Sequence, residues 1–214
     1  GVILTCAILY DILFRSSISF NMLFLEEVWS RNFTNLFIAP LRLREIIVSL
    51  IFTALVRTLI GLVPAIILTS PLFGVSILKL GLPLLLLFLS LYIFGITLGL
   101  FVSAGLIRFG PSFENIAWSS LFLLAPLGCI YYPIEILPSF FQLIAKALPL
   151  VYIFDEARNI LINDFVNYDN LKYAYLLNIV YLIIGIGLFY RSFLKARVKL
   201  SLIHISEPTR LAWI

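Results

Sequence analysis

Long uncharged apolar runs, separated by short polar segments, run through this 214-residue chain. Thr58 to Leu78, Gly81 to Ile107, Asn115 to Ile134 and Tyr173 to Tyr190 contain no Asp, Glu, Lys or Arg. About 20 apolar residues in a helix cross a hydrocarbon core about 30 Å thick. These runs predict membrane-spanning helices, because a chain inside lipid must satisfy its own backbone groups. A barrel strand would instead alternate apolar and polar positions. Gly81 to Ile107 alone carries ten leucines. At roughly −0.5 kcal/mol each, they favour insertion by several kcal/mol.

The same pattern divides the chain into five visible spans: Gly1 to about Phe24, Ile46 to about Thr69, Leu82 to Ile107, Asn115 to Tyr132 and Asn170 to Arg191. Glu26 to Pro40 lies between the first two. There Val28, Trp29, Phe33, Leu36 and Phe37 recur at helical spacing against Glu26, Glu27, Arg31, Asn32 and Asn35, which predicts a helix lying on the membrane surface. Pro40 stops it, and Arg42, Arg44 and Glu45 mark the entrance to the next span, where Pro64 predicts a kink. Ser70-Pro71 with Phe73-Gly74 makes an outer turn, and Arg108 to Glu114 a short inner loop. Pro133, Pro138 and Pro149 break the stretch before the last span into pieces too short to cross, so Ile134 to Leu150 is expected to form one or two interfacial or re-entrant helices on the outer face. The predicted fold is an all-α polytopic transmembrane bundle, with no internal repeat and no linker to a second domain.

Composition removes the soluble alternative: 62% of residues are hydrophobic and 12% charged, against about 45 to 50% and about 25% in soluble domains. The net charge of +4 accompanies no basic cluster interleaved with aromatics, so no nucleic-acid partner is expected. Arg31, Arg42, Arg44, Arg108, Arg191, Lys195, Arg197 and Lys199 all fall on one side if the spans alternate, and the positive-inside rule makes that side the cytoplasm. The opposite loops mix Lys79, Lys146, Arg158 and Lys172 with Glu135, Asp155, Glu156, Asp164 and Asp169. Glu135, Asp155 and Glu156 read as solvated loop acids. With no histidine, metal-ligand cluster or nucleophile elbow beside them, neither an enzyme nor a metal site is expected.

Cys6 and Cys129 lie in apolar stretches and read as small buried hydrophobes rather than a disulfide framework. Asp11 and Arg15 stand four apart, where each can offset part of the other's desolvation. Arg57 is the only charge near the middle of its span, at a cost of about 2.5 to 3.5 kcal/mol. An anionic substrate group, an ion pair with Asp11 or snorkelling would each answer that cost. Gly95 and Gly99 form a GxxxG face continued by Ser103, which predicts close helix packing. Tyr131, Tyr132, Tyr152, Trp118, Tyr173 and Tyr190 read as an interfacial aromatic belt.

Both ends depart from the pattern. The chain opens at Gly1 inside an apolar run with no charged n-region, and is read as a fragment whose first span lies upstream. Leu200 to Arg210 resembles the conceptual translation of a transposon mosaic end. Residues 200–214, with the only histidine, His204, are therefore set aside as a non-native tail with no partner in the fold, leaving 1–199 as the membrane domain.

Phe24-Leu25-Glu26-Glu27-Val28-Trp29-Ser30-Arg31-Asn32, then Leu36 and Pro40-Leu41, occupy the loop after the first visible span. Tyr132-Pro133-Ile134-Glu135-Ile136-Leu137-Pro138, then Leu148-Pro149 and Glu156-Ala157-Arg158, occupy the outer segment. In this order the chain resembles the membrane subunit of type-2 ABC transporters, the class containing polysaccharide, lipid and drug exporters. The resemblance implies a permease half in a bacterial inner membrane, paired with a second copy or a paralogue and with cytoplasmic ATP-binding subunits that use ATP and Mg. This chain would bind neither cofactor, having no G-x-x-x-x-G-K-[ST] motif. Glu26, Glu27, Trp29, Arg31 and Asn32 would be the ATPase-coupling contacts, or else simple interfacial anchors. Apolar helix faces suit an amphipathic substrate such as a lipid-linked polysaccharide, a lipid or a drug. Two other classes compete: an ion-gradient-driven secondary transporter, for which Asp11 is the only membrane carboxylate candidate, and a non-transporting scaffold.

Overall fold

The computed structural model describes residues 1–29, 43–74, 77–110, 113–163 and 165–206. Its helices are α1 (Val2–Trp29), α2 (Leu43–Phe73), α3 (Leu82–Phe109), α4 (Glu114–Leu127), α5 (Ser139–Lys146), α6 (Pro149–Asn163) and α7 (Tyr168–Ser206). Tight 3-10 turns occupy Ile77–Leu80 and Ile134–Ile136. No strand occurs among the described residues. Among the described residues, four helical segments are long and apolar enough to cross a membrane: Val2–Glu26, Arg44–Phe73, Leu82–Phe109 and Tyr168–Ala196.

The expected span from Asn115 to Tyr132 is not among them. Its helix, α4, has 14 residues, about 21 Å at 1.5 Å per residue, well short of the core. The ladder runs past Pro126, with the Gly128 N–H donating to the Leu124 carbonyl at 2.7 Å, and the chain then turns sharply at Cys129, whose φ of 52° is left-handed without being glycine. α2 likewise carries prolines inside it, Pro64 and Pro71, and runs past Thr69 to Phe73. It ends at Gly74, where φ is 66° and the N–H donates to the Ser70 carbonyl at 2.9 Å. The backbone of α7 continues to Ser206, so the fold of the expected tail beyond that point lies outside the described residues.

α3 is the centre of the bundle, with α1 and α7 running parallel to it on either side. On the α7 side, the Tyr175 hydroxyl donates to the Leu86 carbonyl at 2.8 Å. Asn178 Nδ2 donates to the carbonyl and hydroxyl of Ser90 at 3.0 and 2.8 Å. On the α1 side, Gly95 lies against Leu13 and Ser16, and Gly99 against Phe20. A Cβ at Gly95 would overlap Ser16 Oγ, and one at Gly99 would sit 2.8 Å from Phe20 Cδ1. Bare backbone at these two positions is what lets the helices approach.

α4 runs antiparallel along α1, with the Tyr10 hydroxyl donating to the Leu121 carbonyl at 2.7 Å and Phe14 in edge contact with Trp118 and Phe122. α2 lies against α1, and the Tyr92 hydroxyl of α3 donates to its Ile51 carbonyl at 2.5 Å. Leu9, Leu13, Phe20, Leu87, Leu100, Phe154 and Phe189 fill the interior. The outer faces stay apolar, with Val48, Phe52, Ile60 and Ile67 of α2 and Ile179 and Ile183 of α7 exposed. Such faces would be a liability in water and suit lipid.

Candidate functional site

At the end where the arginines gather, α1 continues unbroken past its apolar stretch to Trp29. Arg57 reaches Glu26, Nη2 to Oε2 at 3.4 Å, with both side chains about half exposed. Its partner is therefore Glu26 on α1 and not Asp11. Asp11 is taken by Arg15 of the same helix, one turn away, where the i,i+4 geometry brings the two together without any tertiary contact. The Arg15 guanidinium also lies over Gly61 of α2. Of the expected coupling contacts, Glu26 has a described side chain and Glu27 and Trp29 are placed as helical backbone, whereas Arg31 and Asn32 lie outside the described residues.

The opposite end is built around α6, which runs antiparallel to α7. Glu156 meets the connection and the head of α7, Tyr152 meets Tyr173 with ring centroids 5.8 Å apart, and the Ala147 carbonyl meets Tyr181. Tyr173 and Tyr181 are separated by about 12 Å of helix at 1.5 Å per residue. The corner between α5 and α6, with the exposed Lys146 on it, is therefore fixed against the side of α7. The last carbonyls of α5 would otherwise be orphans. Tyr152 donates its hydroxyl to the Lys146 carbonyl at 3.1 Å, and Tyr181 donates to Ala147 at 3.0 Å.

Glu156 is not the solvated loop acid that the sequence led us to expect: it is fully buried. Oε1 accepts the Asn167 backbone N–H at 2.6 Å, and the Asn170 amide bridges Glu156 Oε2 at 3.3 Å and Asp155 Oδ2 at 3.4 Å. Burial pushes its carboxyl above the ordinary value. The two donors pull it back in part, and the Asp155 charge adds to the rise. The signal was present in the sequence. Ile153, Glu156, Ala157 and Ile160 recur at helical spacing, so Glu156 lies on the buried face of α6 together with those three.

Beside it, Arg158 donates through Nη1 to the Cys129 carbonyl at 2.7 Å while Nη2 faces Asp155 at 3.6 Å. That bond ties α6 to the left-handed turn after α4. Burial also raises the Cys129 thiol, against the lowering influence of Arg158. Deeper in the bundle, Asn21 and Ser103 are buried with side-chain polar atoms that have no hydrogen-bond partner among the described residues. Ser103 is the third member of the Gly95 and Gly99 row. Among the described residues no group of His, Cys, Asp and Glu is arranged to hold a metal ion. Neither a family model nor a curated protein matches the chain.

Proposed function

We propose that this chain is the permease subunit of an ATP-driven exporter of the type-2 ABC class, working in a bacterial inner membrane as a dimer of such subunits. ATP and Mg would be handled by a separate ATP-binding subunit docked at the loop that begins at Glu26. The observation that carries the reading is mechanical. α1 is a single helix from the outer end to Trp29, so the start of the candidate coupling loop is continuous with a span packed along α3 through Gly95 and Gly99. Packed helices shift as bodies more readily than they deform, so a push delivered at Glu26 to Asn32 would move α1 against α3. The substrate would be amphipathic, a lipid-linked polysaccharide, a lipid or a drug, because the bundle offers mainly apolar surface.

The test is co-purification of the membrane protein with a candidate ATP-binding protein, sought among neighbouring reading frames by its Walker motif, comparing wild type with Glu27→Arg and Trp29→Ala. The complex is expected in wild type and lost in both variants; no complex in wild type refutes the proposal.

One observation favours the rival class. An ion-driven transporter needs a buried ionisable group, and Glu156 is one that sequence reading had placed in solvent. Substrate movement driven by a proton gradient without any ATP-binding protein would support that rival.

A further inference from the structure

Among the described residues, Glu156 is the one fully buried carboxylate, and both of its hydrogen-bond donors come from the same place, Asn167 and Asn170 at the head of α7. No cation answers it. Arg158 of α6 is directed to the Cys129 carbonyl and to Asp155. On α7, Asp169 and Lys172 pair with each other at 3.0 Å on the exposed surface. α3 brings no charged residue to this end, since Gly81 to Ile107 has none. Other titratable groups on the elements around α6 include Tyr152 and Tyr173, Cys6 of α1, Cys129 after α4 and Glu135. Cys6 and Cys129 lie within range of the Arg158 charge, and Glu135 acts on Cys129. Asp155 beside it is a like charge, with which it shares the Asn170 amide.

We infer that Glu156 is a proton-binding site: protonated, it fastens α6 to the head of α7, and ionised, it loosens that fastening and frees the α5–α6 corner. The protonated acid still accepts from Asn167 through its carbonyl oxygen, and although both donors favour the ionised form, the desolvation of a buried carboxylate and the Asp155 charge outweigh them. The charge bias places this end on the outer side of the membrane, so the proton would exchange with the outer medium. α6 is one helix from Pro149 to Asn163, so release at Glu156 is transmitted to the Tyr181–Ala147 contact at its other end. This inference does not depend on ATP driving transport.

The experiment follows amide hydrogen exchange at residues 166–171, corrected for its intrinsic pH dependence, together with the infrared carboxyl band, on the chain in lipid nanodiscs. In wild type, protection should fall as pH rises, by at most about tenfold per pH unit, the limit for one released proton. The carboxyl band should vanish over the same range. Glu156→Gln, which stays neutral, should keep its protection throughout. Asp155→Asn removes the like charge and should move the transition to lower pH, a readout that stands even if the glutamine variant does not fold. Protection independent of pH in wild type, a glutamine variant that follows wild type, or an unmoved midpoint in Asp155→Asn would each overturn the inference.

Discussion

Replacing Gly99 by alanine measures how closely α1 and α3 must approach. The added methyl would meet Phe20 Cδ1 at 2.8 Å and Phe20 Cβ and Cγ at 2.9 Å, and because Cβ is fixed to the α1 backbone the clash cannot be relieved by rotating a ring alone. Overpacking of this kind costs about 1 to 3 kcal/mol. Alanine also gains up to about 1 kcal/mol of helix propensity over glycine, which would mask part of the cost. Gly187 in α7 supplies the correction, since a Cβ there meets nothing within 4 Å. Gly187→Ala therefore reports propensity alone, and the difference between the two variants isolates packing at about 1 to 3 kcal/mol. Thermal unfolding followed by circular dichroism in detergent should place Gly99→Ala several degrees below Gly187→Ala, at about 2 to 4 °C per kcal/mol for a chain of this size. Equal midpoints would show that α1 and α3 do not pack through this face. At Gly95 the obstruction is largely the Ser16 hydroxyl, so Ser16→Ala should recover part of the loss caused by Gly95→Ala.

Other outcomes test the outer end. Tyr181→Phe leaves the Ala147 carbonyl without its donor and should cost about 0.5 to 1.5 kcal/mol in the same unfolding assay. Arg158→Ala removes the bond that holds the left-handed turn at Cys129 and should cost about 1.5 to 3 kcal/mol; no change in unfolding midpoint would mean that the turn holds itself. Glu156 has its carboxyl raised in the folded state, so the folded form keeps a proton that the unfolded form has lost in the window between the two values. Stability should be full below the ordinary carboxylate range and fall as pH rises through that window, and Glu156→Gln should remove the slope. A wild-type slope of opposite sign would contradict the burial of this acid.

Much of the bundle was legible because its signals are long. Uncharged runs at Gly81 to Ile107 and Tyr173 to Tyr190 leave no alternative to a helix, and the GxxxG spacing placed Gly95 and Gly99 on one face. What escaped were short-range features. The run from Asn115 to Ile134 is uncharged for as long as a span, yet the turn at Cys129 ends its helix early. Composition could not register a helix stop set by a non-glycine residue in a left-handed conformation. Glu156 was misplaced because charge was weighed loop by loop, when its spacing from Ile153 and Ile160 already put it on a buried face. Sequence left the partner of Arg57 open between a substrate group, Asp11 and snorkelling, because it shows which residues share a helix and not which helices touch; Glu26 meets it only through the packing of α2 on α1.

ATP turnover is the most direct discriminator between an ATP-coupled permease and its rivals. The membrane protein and a candidate ATP-binding protein, sought among neighbouring reading frames by its Walker motif, would be reconstituted together in vesicles, and turnover compared with that of the ATP-binding protein alone. A coupled permease raises turnover, and Glu27→Arg abolishes the rise. Turnover unchanged by the presence of the membrane protein would contradict ATP coupling through the loop at Glu26.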